Sequence, residues 1–364
     1  MDFEILKNTD NTAYDGCDFV LRLPAERKEV RILQLTDMQI IDSVQRRTPD
    51  RIRADEISAW MPEHFDAQCG NHIRALVAHS RPDLILLTGD IVYGSFDDTG
   101  KTLRYICELM DSFGIAWAPT FGNHDNESLM GVDWQCEQFY KSTYCMFRRG
   151  TVSGNSNYTV GIAVGDALLR VIHMLDTNGC KGTDPSIVRQ EGIFPDQLSL
   201  IRDNTKRIRQ AQGREIPAFA AFHIPISGFK QAEYAKGYRK KEEDCFAIGV
   251  DVPLRDTDFG SCFESYNTID IGEDGIGFLR SMSIDGVFVG HRHTNSSSIS
   301  YEGIRWTFGL KTGQYDYHLP YQIGGTLIRL CGEAFDITHI PSLVHCAPMP
   351  SGARIFKNFF TDGN

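Results

Sequence analysis

The sequence has 364 residues, of which 41% are hydrophobic and 23% charged, a composition typical of a globular protein with a large core. Its formal net charge of −11 leaves no electrostatic footprint for nucleic acid or for an anionic membrane surface. The apolar runs are strand-sized, and none approaches the eighteen residues of a membrane span. The positive charge needed to bind a phosphorylated ligand must therefore come from a local source, such as a bound metal ion.

The N-terminal residues and the cysteines predict the cellular compartment. No basic segment followed by an apolar stretch, the pattern of a secretory signal, occurs at the start of the sequence. The ten cysteines have irregular spacings and form no Cys-x-x-Cys pair. Reduced thiols are the default in such a chain, so we expect a cytoplasmic protein. The oligomeric state is not predicted by these features.

Apolar strand-like runs alternate with helical stretches along the chain, which is typical of α/β proteins. A helical stripe before Pro82, a second that ends at Gly114 and a third that starts at Pro195 lie between these strands. Shorter strands and turns are predicted after His293, to about Ile340. The main strands are predicted at 30–35, 84–87, 116–120, 168–175, 218–222 and 286–289.

Side chains that can bind metals follow several of these strands at the point where each strand ends. In open α/β sheets, ligands bind outside the carboxyl ends of the strands. Aspartate, asparagine and histidine residues gathered at that edge would form a site for two metal ions. The residues concerned are Asp37, Asp90, Asn123, His223 and His291.

The residue types in this set suit two adjacent cations. The carboxylate of Asp90, which follows a strand and a glycine, has two oxygens and can bridge two metals. Asn123 offers a carbonyl oxygen, and the imidazoles of His223, His291 and His293 suit zinc, iron and similar ions. Two cations about 3.5–4 Å apart can generate a hydroxide and bind the oxygens of an in-line phosphoryl displacement.

In this order, the motifs resemble those of the calcineurin-like metallophosphoesterase family, over roughly residues 30–310. The resemblance implies an α/β fold, a four-layer sandwich of two mixed β-sheets flanked by helices, with the metal site at the carboxyl ends of strands. We expect an N-terminal extension over 1–29, the metallophosphoesterase domain over 30–345 and a C-terminal tail over 346–364. The matching motifs are Asp37, Gly89-Asp90, Gly122-Asn123-His124-Asp125, His223 and Gly290-His291-Arg292-His293.

The resemblance also implies a role for each residue. The cofactors would be two divalent or mixed-valence metal ions, drawn from iron, zinc and manganese. His124 would contact the phosphate and act as an acid or charge stabiliser, with Asp125 orienting its imidazole. The metal ligands would be Asp37 and His293 at the first metal, Asp90 bridging both, and Asn123, His223 and His291 at the second.

One motif departs from the family pattern. The usual Asp-x-His is replaced by Asp37-Met38-Gln39, and glutamine offers a weaker carbonyl ligand. The segment from Asp90 to Tyr93 resembles the G-D-x-x-Y segment of purple acid phosphatases, in which the tyrosine binds ferric iron. Either Gln39 or Tyr93 would then complete the first metal site, and Tyr93 packing beside the site is the alternative.

Other polar residues receive weaker assignments. The segment 313–318 is a candidate wall of the substrate pocket, or a tyrosine-rich hairpin packed on the sheet. We interpret Asp97-Asp98 as a solvated loop. The histidines outside the motifs are interpreted as structural: His64, His72, His79 and His173.

The expected function is a metal-dependent phosphoesterase in which a hydroxide activated by two metals attacks phosphorus. A phosphorylated small molecule, hydrolysed as a phosphate monoester, is the favoured substrate. A phosphodiesterase acting on a cyclic nucleotide or a similar substrate uses the same scaffold and stays open. A catalytically degenerate metal-binding scaffold is the third reading, which rests on Gln39 alone.

Overall fold

A computed structural model of the chain describes residues 3–7, 9–42, 62–181, 188–272, 274–314 and 316–341, with side chains between 62 and 68 and between 180 and 190 excluded. The predicted tail over 346–364 lies outside these residues. The described helices are α1 (Pro62–Ser80), α2 (Lys101–Ser112), α3 (Gly131–Lys141), α4 (Pro195–Gln212), α5 (Ser227–Ala235) and α6 (Gly275–Ser281).

The described strands follow in chain order. They are β1 (Glu4–Lys7), β2 (Phe19–Leu23), β3 (Val30–Leu35), β4 (Leu84–Thr88), β5 (Ala116–Thr120), β6 (Tyr158–Val164), β7 (Ala167–Met174), β8 (Asn178–Lys181), β9 (Val188–Glu191), β10 (Ala218–Ala221), β11 (Phe246–Ala247), β12 (Ser261–Cys262), β13 (Ile284–Val289), β14 (Ser298–Tyr301), β15 (Ile304–Phe308), β16 (Gly324–Cys331) and β17 (Ala334–Pro341).

Two mixed sheets dominate the described fold. The smaller has the order β17-β16-β3-β4-β5, in which β3, β4 and β5 are parallel. The larger has the order β1-β2-β6-β7-β10-β13-β15-β14, in which β7, β10, β13 and β15 are parallel. The predicted mixed α/β fold is therefore confirmed. The segment before residue 30 supplies β1 and β2, so it forms one edge of the larger sheet.

Strand alternation explains how the larger sheet separates two cores. On β10, Phe219 and Ala221 pack toward the smaller sheet, whereas Ala218 and Ala220 pack toward the opposite face. Successive residues of a strand point to opposite faces, so one strand can serve both cores. The first core also contains buried residues of α1, α2 and α3, and the second contains those of α4, α5 and α6. The layers are thus helix, sheet, sheet and helix.

The predicted element limits agree closely with the structure, and the differences have local causes. The helix predicted from Pro195 ends at Gln212, and Gly213 follows with a φ of +66°. The strand predicted from Gly286 begins at Ile284, because its pairing with β10 extends two residues before the glycine. An apolar pattern alone stops at the charged Asp285, whereas the pairing with β10 continues past it to Ile284.

Asp97 does not lie in a solvated loop, so that prediction is wrong. Its side chain is buried and accepts a hydrogen bond from the backbone N–H of Thr102 at the start of α2. The Ser128 hydroxyl donates to the Asp97 carbonyl. Burial raises the pKa of Asp97. A pair of adjacent aspartates is typical of surface loops, and only the packing of the following helix places this one inside.

Candidate metal centre

The parallel strands of both sheets deliver the predicted ligands to one place. Asp37 and Asp90 follow β3 and β4 in the smaller sheet, while His223 and His291 follow β10 and β13 in the larger sheet. The side-chain amide of Gln34 donates to the Val289 carbonyl at 3.0 Å, which joins the two sheets just below this point. The carboxyl ends of the strands therefore converge from both sheets, as the sequence predicted.

Backbone strain accompanies this convergence. Asp37, Gln39, Asp90 and His291 have φ angles of +50°, +44°, +48° and +72°. The left-handed region costs a residue other than glycine roughly 1–2 kcal/mol. Such conformations persist where the surrounding structure determines them, and they concentrate at functional sites. Gly122 lies so close to Asp90 that a Cβ atom would approach its Oδ1 to 2.2 Å, so only glycine fits there.

The second metal position, as predicted, comprises His223, His291 and Asn123 with the shared Asp90. Ligand atoms of Asp90, His223 and His291 lie within 4.8 Å of one another. His223 Nδ1 lies 2.9 Å from the Thr88 carbonyl, so this nitrogen carries the proton and Nε2 faces the centre. The Nε2 atom is buried, has no hydrogen-bond partner and lies 3.2 Å from Asp90 Oδ2. Two acceptors at that distance need either a proton on Nε2 or a cation between them.

Asn123 completes this position with an oxygen. Its Oδ1 is buried without a hydrogen-bond partner in the described structure. Buried polar atoms are normally paired, and an exception indicates a missing ligand or a functional role. The orphaned oxygen and the orphaned imidazole nitrogen of His223 therefore fit a bound metal ion.

The first metal position comprises Asp37, Asp90 and His293, whose ligand atoms also lie within 4.8 Å of one another. The His293 Nδ1–H donates to the Tyr317 carbonyl at 3.0 Å, and its Nε2 lies 3.3 Å from Asp37 Oδ1. The Tyr317 ring stacks on His293 with centroids 4.3 Å apart, and its hydroxyl donates to Glu264. Tyr317, in the segment predicted as a pocket wall, thus orients a predicted ligand.

The charges of the centre favour cations. Burial alone raises the pKa of Asp37 and Asp90, but neighbouring imidazoles, His223 foremost, outweigh it and hold both pKa values well below their usual range. Burial lowers the pKa of His223, and the two carboxylates outweigh that effect and raise it to about 9. The carboxylates are therefore ionised over the physiological range and attract positive charge, whether a proton or a metal.

Backbone donors hold the two carboxylates in place. The His291 backbone N–H donates to Asp37 Oδ2 at 3.0 Å, and the His124 backbone N–H donates to Asp90 Oδ1 at 2.8 Å. Each aspartate is thus oriented by a loop that carries another residue of the predicted site. The metal-ligand assignments themselves stay predictions, which this arrangement supports.

Gln39 makes contacts that the sequence did not predict. Its amide nitrogen lies 3.3 Å from Asp90 Oδ2, and its carbonyl oxygen accepts a hydrogen bond from the buried Lys311 at 2.5 Å. Lys311 also donates to the Asp37 backbone carbonyl at 3.0 Å. The sequence contained no signal for this lysine, because it follows β15 and belongs to none of the motifs.

Tyr93, the other candidate for the first metal, stacks on His124. The ring centroids are 4.6 Å apart with an interplanar angle of 22°. The side chain is buried, and its ring edge contacts Phe96. The tyrosine therefore packs beside His124, and its role as a ligand stays a prediction.

The role predicted for Asp125 is wrong, because a different carboxylate contacts the His124 ring. His124 Nδ1 lies 2.9 Å from Glu127 Oε2, and the Ser95 hydroxyl donates to the same oxygen. The Asp125 oxygens accept the backbone N–H groups of Val92 and Gly122 instead. Burial and the Asp90 charge raise the pKa of Asp125 to about 7. The available signal was the three-residue spacing, which places Glu127 on the same side of the turn as His124.

Arg292 brings positive charge to this centre. Its Nε is buried without an acceptor, while the side chain as a whole keeps partial access to solvent. Among the arginines whose described side chains are buried or half-buried, it alone has neither an ion pair nor a hydrogen bond. Burial and the charges of Glu264 and Asp316 raise the pKa of Tyr317 well above its usual value, against the opposing charge of Arg292. The guanidinium therefore lies near Tyr317 and can receive an anion.

The histidines outside the motifs lie away from the centre or have structural partners. His72 is buried with Nε2 at 2.8 Å from the Gln314 amide, and His173 is buried against the Thr159 hydroxyl. His79 is exposed near the end of α1. The side chain of His64 lies outside the described residues.

Cysteines and helices bear on the remaining predictions. Eight of the ten cysteines are described as free thiols, and the reduced state of the protein stays a prediction. No helix in the described ranges is both long enough and apolar enough to cross a membrane.

Known proteins resemble this chain over most of its length. A family model described as calcineurin-like phosphoesterase matches residues 30–295. The Arabidopsis thaliana protein named probable inactive purple acid phosphatase 28 is 24% identical over 316 residues, covering 80% of this chain and 72% of that protein. Probable inactive purple acid phosphatase 29 of the same plant is 22% identical over 318 residues, with the same coverage. The crystal structure of a dimetal phosphatase from Danio rerio aligns with a TM-score of 0.49 and 12% identity over 86% of this chain and 96% of that chain.

Proposed function

This chain belongs to the calcineurin-like phosphoesterase family, and we propose that it hydrolyses phosphate monoesters of small molecules with the help of two bound metal ions. The observation that carries the proposal is the convergence of two ligand groups that share Asp90, each with its ligand atoms within 4.8 Å. The orphaned acceptors of Asn123 and His223 support the same conclusion. A structural polar cluster would pair these atoms within the protein.

The surrounding residues fit phosphoryl transfer. Bound cations would supply Lewis acidity and lower the pKa of water, the usual contribution of a two-metal site. His124 is 14% exposed, so its ring can reach a substrate oxygen while Glu127 holds Nδ1. With Nδ1 hydrogen-bonded to a carboxylate, the proton for the leaving oxygen would come from Nε2.

Arg292 favours a monoester over a diester. A phosphate monoester is a dianion near neutral pH, whereas a diester carries one negative charge. A further cation therefore attracts the monoester more strongly than the diester. Arg292 has no acidic partner in the described structure and can form charge-assisted hydrogen bonds with phosphate oxygens. In a diesterase with the same metal centre, this arginine would contribute less to substrate binding.

A scaffold without turnover is the second candidate, because two relatives carry the word inactive in their names. The contacts of Gln39 with Lys311 also depart from the family pattern. Retention of the other motif residues favours the enzyme. The cytoplasmic location stays a prediction.

The test combines metal analysis with a pair of aryl phosphate esters. Protein loaded with Mn²⁺, Zn²⁺ or iron is assayed with para-nitrophenyl phosphate and with bis(para-nitrophenyl) phosphate. We expect metal-dependent hydrolysis, with a higher kcat/KM for the monoester. Asp90→Asn should lose metal and at least about a hundredfold in rate, since metal charge stabilisation is worth several kcal/mol. The matched control is Asp166→Asn, a fully exposed residue.

Each result separates the candidates. Faster hydrolysis of the bis-ester would favour the diesterase. Metal binding without hydrolysis of either ester would favour the scaffold. Full activity in Asp90→Asn would overturn the two-metal interpretation.

A further inference from the structure

A buried lysine lies beside the first metal position, and the mechanism above does not use it. Lys311 is 2% exposed, and its Nζ donates to the Asp37 backbone carbonyl and to the Gln39 side-chain carbonyl. Lysine side chains are almost never fully buried unless they are paired. Here both partners are neutral carbonyl oxygens, and no carboxylate lies within ion-pair distance of Nζ in the described structure.

The position of Lys311 is imposed by backbone pairing. Thr36 and Lys311 form a parallel bridge, and the Thr312 N–H donates to the Thr36 carbonyl at 2.8 Å. Gly313 lies so close to the loop that a Cβ atom would approach the Met38 carbonyl to 1.8 Å. The segment 311–313 therefore runs along the loop that carries Asp37 and Gln39, and this pairing fixes the backbone of Lys311 beside that loop.

The same contacts assign Gln39 a role other than metal binding. Its carbonyl oxygen, the atom that a metal would use, accepts from Lys311 at 2.5 Å. Its amide group points toward Asp90 Oδ2 at 3.3 Å. An amide N–H cannot bind a cation, and an amino group next to the carbonyl occupies space on its open side. The glutamine thus links Lys311 to the shared carboxylate.

We propose that Lys311, acting through Gln39, makes the metal centre asymmetric. The second position, with Asn123, His223 and His291, binds its metal tightly. The first position, with Asp37 and His293, binds its metal weakly, because Lys311 takes the place of the missing ligand and brings a positive group close to the cation. Lys311 is a positioning residue in this arrangement. The proposal rests on the proposed function only in assuming that the centre binds two metals.

Metal titration tests the proposal without an activity assay. Metal-free protein is titrated with Mn²⁺ by isothermal titration calorimetry, and bound metal is counted independently after gel filtration. Wild type should bind one equivalent tightly and a second at least about tenfold more weakly, a difference of about 1.4 kcal/mol. In Lys311→Met, the second equivalent should tighten by at least about tenfold while the first changes little.

Further variants separate charge from packing and guard against misfolding. Lys311→Gln keeps N–H donors for the two carbonyls and removes the charge, so it should tighten the second equivalent even if the methionine variant is unstable. Gln39→His alone should change little, because Lys311 still occupies the position, and Gln39→His with Lys311→Met should bind two equivalents tightly. Lys206→Met on the exposed face of α4 controls for net charge.

The outcomes that overturn the proposal differ from those that would overturn the phosphatase. Two equal and tight equivalents in wild type, or an unchanged or weakened second equivalent in both Lys311 variants, would exclude the role of Lys311. Absence of ester hydrolysis with the predicted titration would exclude the proposed function and leave the asymmetry intact.

Discussion

His124 is held at two points on the edge of the metal centre. Glu127 lies at Nδ1, and the Tyr93 ring covers one face. Because His124 is not among the predicted metal ligands, we expect His124→Ala to keep its metal and to lose about 10²–10⁴-fold in kcat, the usual range for general acid catalysis. Metal content and kcat are measured on the same sample. Loss of metal in this variant would mean that His124 is a ligand.

Glu127 should act through His124. Glu127→Gln removes the charge at Nδ1, and we expect it to lower kcat about tenfold with an unchanged KM and unchanged metal content. The matched control is Asp125→Asn, which leaves the ring contact intact. That variant should lower the melting temperature, because an amide N–H would face the backbone N–H of Val92 or Gly122. If Asp125→Asn changed KM and kcat more than Glu127→Gln, with the two variants equally stable, Asp125 would be the residue that orients His124.

Arg292 should contribute to substrate binding rather than to metal binding. Charge-assisted hydrogen bonds are worth about 1.5–3 kcal/mol, so Arg292→Ala should raise KM for a phosphate monoester by about tenfold or more. Inorganic phosphate should inhibit the variant correspondingly less, while the bis-ester should be affected less than the monoester. Arg202→Ala, on the exposed face of α4, serves as the control. An unchanged inhibition constant for phosphate would exclude the assignment.

At the scale of elements, β7 contains a buried histidine that makes stability depend on pH. His173 faces Thr159 of the neighbouring strand, and burial lowers its pKa to about 4. The unfolded value is about 6.5, so the unfolded chain binds the proton first. The contribution of neutral His173 to the free energy of unfolding is therefore fully present above about pH 6.5, and it is lost as the pH falls toward 4.

A substitution isolates this contribution. The difference between the pKa of about 4 in the folded protein and the unfolded value corresponds to about 3 kcal/mol of unfolding free energy. We expect His173→Gln to lose less stability than wild type between pH 7.5 and pH 4.5, measured by urea unfolding at several pH values. Equal losses in both proteins would show that His173 is not the group responsible. His339, whose pKa burial also lowers to about 4, accounts for part of the remaining slope.

At the scale of the whole molecule, the metal centre joins the two sheets. Asp37, Asp90 and Asn123 follow strands of the smaller sheet, and the predicted histidine ligands follow strands of the larger one. A metal that binds only when both sheets are folded stabilises the native state by mass action, by about 2.7 kcal/mol at a hundred times its Kd. Mn²⁺ should therefore raise the melting temperature of metal-free protein, and a chelator should reverse the change. The melting temperature of Asp90→Asn should respond much less, and an equal response would place the stabilising metal elsewhere.

Much of the site could be predicted from sequence because its signals are local. A strand, a turn and a polar residue in succession form a unit that is encoded by a few consecutive residues. Such a unit ends at Asp90, at Asn123 and at His291. The alternation of apolar strands with helical stretches indicates the α/β fold. Parallel strands then bring their carboxyl ends to one edge of a sheet.

The tertiary structure decided what depends on packing between distant segments. Lys311 meets Gln39 across 272 residues, and no local pattern connects them. The structure assigned Glu127 rather than Asp125 to His124, because both lie within one turn and only the direction of each side chain separates them. Burial of Asp97 depends in the same way on α2 packing above it. Sequence thus determines which residues can bind a metal, and three-dimensional packing decides which neighbours orient, occupy or exclude them.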